Sequence, residues 1–369
     1  MLTYKFRIYP TAAQARIMEE TLETCRRLYN SMLADRIENG TGFYDQKKML
    51  VELKHNNDKH LKSIHSQVLQ DVVLRLDKAY RAFFVGLSRY PKFRRSGRYN
   101  SFTYPQSGFR LEGDRIIRLS TIGKVRLTLH RRVTGAIRRA TVIRDIDQWF
   151  VALLVEEPPA VQSGDGKVGV DTGISNIVAL SDGTLIDNPR FLNGSLERIK
   201  SLQRQLSRKK KGSSNREKVK ISLGKAWRKA RRQRDDFAHK LSDKLTKENK
   251  VIVFEDLKVR SMVKNHNLAS AIMDASWAQL RRLTAYKAER RGGRVILVNP
   301  GGTSQKCSGC GQTVPKDLSE RLHDCPRCGL VMDRDVNAAR NILKAGLEQA
   351  RVEAEPLLVQ RRRISKFGR

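Results

Sequence analysis

The sequence predicts an α+β multidomain protein, in which an N-terminal β-barrel carries a helical lobe and a C-terminal α/β core carries a small cysteine-rich insertion. The chain has 369 residues, which is longer than a single domain built around one hydrophobic core usually is. Its first half changes from helical to strand periodicity, and its second half alternates short apolar strands with helices. Four of its five cysteines form two CxxC pairs near the end.

The predicted barrel is built from two separate stretches of sequence. Tyr4–Tyr9 alternates apolar and basic residues, as a strand does, and Pro10 ends the pattern. Strand periodicity returns later, with glycine-containing turns between the strands, at residues 115–117, 124–129 and 149–155. We therefore predict a barrel formed by residues 1–10 and 93–160.

Residues 11–92 between these stretches predict a helical lobe. Apolar residues recur at helical spacing in Thr11–Arg36 and Ile64–Phe84. Glycine-containing or polar segments interrupt the pattern at Gly40–Phe43 and His55–Asp58, where we expect helix breaks. The lobe is thus inserted after the first strand of the barrel.

The second half begins after a linker at Pro158–Gly166, rich in Pro, Ser and Gly. An apolar strand ending at Asp171, a hairpin over residues 177–186 and a helical region predict a βββαβ beginning. We expect later elements at Val251–Phe254, a strand, Trp277–Arg290, an amphipathic helix, and Val295–Val298, a strand. The predicted core covers 165–302 and 331–345, with a basic tail at 346–369.

Charge is the strongest compositional feature. Lys and Arg number 73 against 38 Asp and Glu, a formal net charge of +35 that predicts a polyanionic partner, above all nucleic acid. Nothing resembles an apolar membrane span or a secretion signal, so we expect no membrane partner and a cytoplasmic, nucleoid-associated protein.

The densest positive charge lies in residues 198–234, which contain sixteen Lys or Arg and one acid. Such a run usually marks a solvated helix face, but here the acidic partners for local ion pairs are nearly absent. We predict a helical pair that faces nucleic acid, with contacts from Lys209, Lys210, Lys211, Arg228, Lys229, Arg231 and Arg232.

Three acids form the candidate catalytic site. Asp171 and Glu255 each follow a short apolar strand, and Asp335 opens a helix. Together they would hold Mg²⁺ or Mn²⁺, since such hard ions prefer oxygen ligands, and two ions would support phosphodiester hydrolysis. Taken singly, each acid has a structural alternative: a turn at Asp171, or a helix cap at Asp335 or Asp333.

The cysteines predict a structural zinc site at residues 303–330. Cys307 and Cys310 are separated by fourteen residues from Cys325 and Cys328, the spacing of a four-thiolate zinc ribbon. Four thiolates complete the shell, so His323 is not needed as a ligand. In a reducing compartment this pattern favours metal over disulfides, and we expect Cys25 to be a packing residue.

Several motifs together resemble the TnpB family, insertion-sequence-encoded RNA-guided nucleases related to type V CRISPR effectors. They are MLTYKFRIYPT at the start, GVDTGI, VFEDL, DASWAQL, TSQKCSGCG and CPRCGLVMDRDVNAARNI. The resemblance implies a RuvC-like (RNase H-like) nuclease core with an inserted zinc ribbon and Asp171, Glu255 and Asp335 as its acids. It also implies that the barrel and lobe hold a guide RNA, derived from the transposon end, and double-stranded target DNA.

Such a nuclease must read a short DNA motif beside its target before the guide pairs. Ser66 and Gln70 lie one helical turn apart in the lobe, and Gln can contact adenine in the major groove. Thr103, on the strand Ser101–Tyr104, could contact a thymine methyl group. The alternative, that all three are ordinary surface polar residues, is nearly as well supported.

These features predict an RNA-guided DNA endonuclease with a two-metal RuvC mechanism. An RNA-guided DNA-binding regulator of transposition without cleavage is the main alternative, and the three acids argue against it. A transposase would need a DNA-end-binding domain, and no helix-turn-helix stands out. A zinc-ribbon RNA-binding protein would leave the acids without a role.

Overall fold

The computed structural model describes residues 1–55, 59–158, 161–317 and 320–366, without the side chains of residues 260, 267 and 353–366. Parts of the predicted break at His55–Asp58, the linker at Pro158–Gly166 and the tail at 346–369 therefore lie outside the described residues. The chain divides into two compact units, Met1–Pro158 and Pro159–Arg369. Each unit is described by itself.

The first unit begins with a strand, continues with helices and ends with strands. Its elements are β1 (Leu2–Tyr9), α1 (Ala12–Asn39), α2 (Phe43–His55), α3 (Lys59–Lys62), α4 (Ser66–Phe84), β2 (Ser101–Tyr104), β3 (Phe109–Glu112), β4 (Ile116–Leu119), β5 (Gly123–Thr128), β6 (Ala136–Asp145) and β7 (Gln148–Glu156). The helices thus lie between β1 and the other strands, as predicted.

The seven strands described in this unit form one antiparallel sheet in the order β2-β6-β7-β1-β5-β4-β3. β1 lies between β7 and β5, so the first strand of the chain is central to a sheet otherwise made after the helices. Its alternate residues Tyr4, Phe6 and Ile8 are buried, which explains the alternating sequence pattern. Closure of this sheet into a barrel remains a prediction.

The helical lobe contains the long helix α1 and the amphipathic helix α4. Thr11 caps α1 in a capping box with Gln14, and Gly40 ends it with a left-handed backbone at φ 65°. α4 buries Val68, Leu69, Val72, Val73 and Leu76 along one face. The predicted break near Gly40 is therefore observed.

The second unit contains an α/β core and a small cysteine-rich part. Its elements are β8 (Gly166–Asp171), β9 (Asn176–Leu180), β10 (Leu185–Asp187), α5 (Asn193–Arg208), α6 (Ser214–Glu248), β11 (Asn249–Glu255), α7 (Val259–Met262), α8 (His266–Ala275), α9 (Trp277–Arg290), β12 (Arg294–Val298), β13 (Leu322–Asp324), β14 (Val331–Asp333) and α10 (Arg334–Lys366). The backbone of α10 continues past residue 345, where we had predicted a separate tail.

The core sheet has the strand order β10-β9-β8-β11-β12 in the described chain. β9 pairs antiparallel with β8 and β10, whereas β11 is parallel to both β8 and β12. This is the predicted βββαβ arrangement followed by a further parallel strand. Val168, Val170, Ile252 and Phe254 are buried in its core, as their apolar runs indicate.

Two glycines let α10 lie close to this sheet. A Cβ added at Gly169 of β8 would lie 2.0 Å from the carbonyl oxygen of Ala339. A Cβ added at Gly346 would lie 2.5 Å from a methyl carbon of Val253 on β11. α10 therefore crosses β8 and β11 at a separation that a larger side chain would not allow. No helix in the described ranges is both long and apolar enough to span a membrane.

Candidate active site

Asp171 and Glu255 lie at the same end of two neighbouring parallel strands. Val170 pairs with Phe254 in the β8–β11 register, so the two acids, one residue further along, lie side by side. The carboxyl ends of parallel strands form the edge at which open α/β sheets bind ligands. The structure thus brings together these two of the three predicted acids.

Asp335 reaches this edge from the first turn of α10. Its carboxylate is hydrogen-bonded by Asn176 of β9, and Arg321 lies 3.7 Å from it. Asp333 has a different role, because its Oδ1 accepts the backbone N–H groups of Asp335 at 2.8 Å and Val336 at 3.2 Å. Asp333 therefore caps the helix, while the carboxylate of Asp335 remains available at the site.

The three carboxylates are held where their charges are unfavourable. Burial, together with the negative charges of Glu255 and Asp335, raises the pKa of Asp171 to about 8. Burial also raises the pKa of Glu255, although a hydrogen bond from Thr303 opposes this rise. Burial and the charge of Asp333 raise the pKa of Asp335. Such a group favours either retained protons or a bound cation.

The turn after Asp171 is hydrogen-bonded to the first residue of α9, a contact that the sequence motifs did not predict. The indole N–H of Trp277 donates to the carbonyl of Gly173 at 3.1 Å. Trp277 follows Ser276, whose left-handed backbone at φ 54° starts α9. Gly173 leaves no space for a side chain, since an added Cβ would lie 2.7 Å from the carbonyl oxygen of Asn176. This contact fixes the loop that follows the first acid.

The four predicted zinc ligands form one cluster. Their Sγ atoms all lie within 4.8 Å of one another, and in the part of the chain that the structure describes no other group of His, Cys, Asp and Glu ligand atoms is gathered in this way. The Sγ pairs Cys307–Cys328 and Cys310–Cys325 are each 3.6 Å apart. Tetrahedral Zn–S bonds of about 2.3 Å require sulfur atoms roughly 3.8 Å apart, so the cluster fits one zinc ion.

The two knuckles repeat the same backbone geometry. The N–H of Gly311 donates to the carbonyl of Cys307, and that of Gly329 to the carbonyl of Cys325, both at 2.9 Å. Both glycines have left-handed backbones, with φ of 78° and 69°. His323 is buried beside them, and its Nδ1 lies 2.6 Å from Nζ of Lys316. It is not one of the four clustered ligands, in agreement with the prediction.

Three residues that the sequence did not single out join the ribbon to the core: Thr303, Asn337 and Asn341. Thr303 donates its hydroxyl to the carboxylate of Glu255. Asn337 and Asn341 of α10 both donate their amides to the carbonyl of Lys306, at 2.7 Å. The sequence offered one signal for the two asparagines: they are four residues apart, and so lie on one face of α10.

The predicted basic helical pair is α5 and α6. Six of the seven predicted contact residues are exposed, in the connecting turn or on α6: Lys209, Lys210, Lys211, Lys229, Arg231 and Arg232. Arg228 is only 7 % exposed, and Ala226 and Ala230 on either side of it in the sequence are also buried. Its assignment as a phosphate contact is corrected, because a run of charges does not reveal which face packs inward. Trp227, which we had not singled out, is exposed on α6.

The three predicted DNA readers have different surroundings. Ser66 and Gln70 are exposed on α4 and line a cavity of about 540 Å³, where Lys54 donates to the Ser66 hydroxyl at 2.7 Å. Thr103 is buried, and its hydroxyl accepts from Arg75 at 2.6 Å and lies 3.0 Å from that of Thr141. The predicted surface position of Thr103 is therefore wrong, because its buried hydroxyl is hydrogen-bonded inside the protein.

Comparison with known proteins identifies the family. The chain is 34% identical over 370 residues to "Putative RNA-guided DNA endonuclease InsQ" of Escherichia coli (strain K12), covering 93% of this chain and 92% of that protein. It is 35% identical over 359 residues to a "Putative RNA-guided DNA endonuclease" of Streptomyces pristinaespiralis, covering 93% and 89%. The chain belongs to the TnpB family.

Family models match three parts of this TnpB-family chain. They are described as "Probable transposase" at residues 150–266, "Cas12f1-like, TNB domain" at 277–342 and "Helix-turn-helix domain" at 1–40. No helix-turn-helix pattern stands out in the sequence, and residues 1–40 contain one strand, β1, and the uninterrupted helix α1. The second match includes the cysteine cluster and the start of α10.

The fold of this TnpB-family chain also resembles a solved structure. The chain of a Cas12f1–sgRNA–target DNA complex superposes with a TM-score of 0.56 at 14% identity, over 90% of this chain and 83% of that one. At this identity the likeness concerns the fold alone. It supports an α+β architecture of the Cas12f and TnpB kind across both units.

Proposed function

We propose that this protein is an RNA-guided DNA endonuclease that hydrolyses phosphodiester bonds in target DNA at a two-metal RuvC-like centre. The observation that carries the proposal is the placement of Asp171, Glu255 and Asp335 at one edge of the core sheet, where burial raises the pKa of each acid and the charges of Glu255 and Asp335 raise that of Asp171 further. The names of the curated relatives support RNA-guided DNA cleavage. The retained acids favour cleavage over a regulator that only binds DNA.

The three carboxylates would hold Mg²⁺ or Mn²⁺, because they offer only oxygen ligands to a cation. When bound, such ions activate water and stabilise the charge that develops on the phosphate and on the leaving 3′ oxygen. The chain's own contribution is to hold the acids rigidly: Asp333 fixes the start of α10, and Trp277 fixes the loop after Asp171. Proton release from Asp171 would accompany cation binding.

We assign a role to each part of the chain on the same basis. Residues 165–302 and 331–345 would form the nuclease domain, and 303–330 a structural zinc ribbon that contacts target nucleic acid. Residues 1–10 and 93–160 would form the barrel, and 11–92 the lobe that grips the duplex. The net charge of +35 and the exposed Lys209, Lys210 and Lys211 support contact with a guide RNA derived from the transposon end.

Ser66 and Gln70 remain our proposed readers of the flanking DNA motif. Their exposure on α4 beside Lys54 supports this role, because a cation next to a polar reader can also hold a phosphate. Cleavage of a library with randomised flanks tests it. Gln70→Ala should change the preference at one base, by about 1 to 3 kcal/mol. A uniform change across all flanks would exclude Gln70 as a reader.

The experiment that tests the function is purification of the protein with its co-purifying RNA, followed by sequencing of that RNA. A guide carrying a new 3′ segment should then direct Mg²⁺-dependent cutting of a matching DNA. Asp171→Asn serves as the control that keeps the shape of the side chain. Guide-independent cutting, or cutting by Asp171→Asn at the wild-type rate, would refute the proposal.

A further inference from the structure

Thr303 lies where the chain leaves the core for the cysteine-rich part. It follows Gly302, whose left-handed backbone has φ 78°, and precedes Cys307 by four residues. Its hydroxyl donates to Oε1 of Glu255 at 2.5 Å. One side chain at the base of the ribbon therefore holds a proposed catalytic carboxylate.

The backbone of the same residue is held from α10. Asn341 donates from Nδ2 to the carbonyl of Thr303 at 2.9 Å and to that of Lys306 at 2.7 Å. Thr303, which holds Glu255, and Lys306, which precedes Cys307, thus accept from the same amide, that of Asn341. α10, which also carries Asp335, fixes both positions.

The first knuckle is fixed by a second amide. Asn337 donates to the carbonyl of Lys306 at 2.7 Å, and its Oδ1 accepts from the N–H of Ser308 at 2.8 Å. It is fully buried, so both halves of its amide need these partners. The peptides on either side of Cys307 are therefore anchored to the helix that carries the third acid.

A hydroxyl that donates to a carboxylate restricts how that carboxylate can rotate. Partners of this kind orient metal-binding carboxylates, and their loss typically lowers metal affinity or activity about 10- to 100-fold. Thr303 also lies 3.4 Å from the carbonyl of Pro300, a longer contact that would suffice for a turn alone. The contact to Glu255 joins residues that are 48 positions apart in the sequence, so it indicates a role beyond shaping the turn.

We infer that Thr303 is a positioning residue that aligns the Glu255 carboxylate for cation binding and, through Asn341, links this alignment to the first zinc knuckle. The inference rests on the proposed function, because it assigns the cation site to the three acids. It adds a residue outside the acid triad and the cysteines. It also gives the ribbon a role in the active site in addition to contact with nucleic acid.

The test compares Thr303→Val, which removes the hydroxyl at nearly constant volume, with Thr303→Ser, which keeps it. Thr313→Val, an exposed change in the ribbon, is the matched control. Two quantities are measured on the full chain with its guide RNA: the Mg²⁺ concentration for half-maximal cutting, and polypeptide cleavage near the acids by bound Fe²⁺ with ascorbate and peroxide. The second reports cation occupancy without DNA cutting.

Thr303→Val should raise the Mg²⁺ requirement about 10-fold or more and reduce the Fe²⁺-directed fragments in parallel. Thr303→Ser and Thr313→Val should stay within about two-fold of wild type, and all variants should keep RNA binding and zinc content. In Thr303→Val/Asn341→Ala the combined effect should be smaller than the product of the single effects, because the two residues act in one chain of contacts.

Wild-type behaviour of Thr303→Val, equal loss in Thr303→Ser, or independent effects in the double variant would overturn the inference. The wild type and Asp171→Asn, measured in the same series, separate this from failure of the proposed function. If the wild type does not cut under guidance, the proposed function fails. If it cuts and Thr303→Val cuts equally well at every Mg²⁺ concentration, the inference alone fails.

Discussion

The carbonyl oxygen of Ala339 occupies the space that a side chain at Gly169 would need, since an added Cβ would lie 2.0 Å from it. β8 and α10 are thus in backbone contact. Asp171 lies two residues after this contact on the strand, and Asp335 lies one helical turn before it on the helix. The approach at Gly169 therefore sets the distance between the first and third acids.

We predict that Gly169→Ala displaces α10 and impairs both stability and cutting. The added methyl group meets backbone atoms that cannot rotate away, so overpacking should cost about 1 to 3 kcal/mol. Gly194→Ala in α5 is the matched control, because an added Cβ there would have no atom from elsewhere in the described chain within 4 Å. That variant should be unchanged or more stable, since alanine favours a helix. Thermal unfolding and cleavage rates test the pair, and equal behaviour would contradict the packing argument.

The acid assignments predict a clear order of effects. Asp171→Ala, Glu255→Ala and Asp335→Ala should each reduce cutting by roughly 100- to 1000-fold or more, the range for lost stabilisation of transition-state charge. RNA and target binding should remain nearly intact. Asp333→Ala should be milder, because it removes a helix cap worth about 1 kcal/mol. Single-turnover cleavage with separate binding measurements distinguishes these outcomes, and substantial cutting by the three Ala variants would refute the site.

The raised pKa of Asp171, about 8, predicts a pH dependence of stability in protein without Mg²⁺. Between its ordinary value near 4 and about 8, the folded state holds a proton that the unfolded state releases, so stability should fall as pH rises through this window. Asp171→Asn removes the penalty. Its melting temperature should exceed that of the wild type by a margin that grows from pH 5 to pH 8. A margin that is constant or reversed would contradict the assigned cause.

Ser substitutions at Cys307, Cys310, Cys325 or Cys328 should lower the zinc content and loosen the ribbon, because the binding energy of structural zinc is also folding energy. Cys25 is the internal control. It is fully buried, and burial raises the pKa of its thiol to about 12, so it is an unreactive packing residue. Cys25→Ser should leave the zinc content unchanged. Metal analysis tests both, and a wild type without zinc would refute the ribbon.

The predicted nucleic-acid contacts of the basic helical pair, α5 and α6, can be tested through the salt dependence of nucleic-acid binding. Replacing Lys209, Lys210 and Lys211 by Gln should reduce the log–log slope by about 0.7 to 0.9 for each lost phosphate contact. Lys240→Gln/Lys247→Gln is a control on α6, since these lysines pair with Asp236 and Asp243. An unchanged slope in the triple variant would mean that the connecting turn is only solvated.

The features that depend on local sequence patterns were the ones best predicted from the sequence. Glu255 ends an apolar run and the cysteines have fixed spacing, so both could be placed without the fold. β6 was missed because arginines separate its apolar residues, and only pairing with β7 reveals its inner face. Thr103 was placed on the surface because a single polar residue in a strand does not show which face it is on.

The contacts of Thr303, Asn337 and Asn341 could not be predicted from local sequence patterns. They join residues far apart in sequence, and nothing in a threonine or an asparagine indicates which distant carbonyl or carboxylate it will meet. Arg228 shows the same limit in a charged run, since its burial depends on how α6 packs. Such residues become apparent only when the tertiary structure is known.

The dependence of the acid site on α10 has a consequence for synthesis on the ribosome. Domains generally fold in order as the chain emerges, N-terminal first. The basic helical pair and the strands that end at Asp171 and Glu255 emerge before α10, which supplies Asp335 and crosses β8 at Gly169. A nascent chain would thus acquire its exposed basic residues before the third of the proposed catalytic carboxylates. If the proposed function is correct, a product terminated before α10 would lack one of the three proposed catalytic acids.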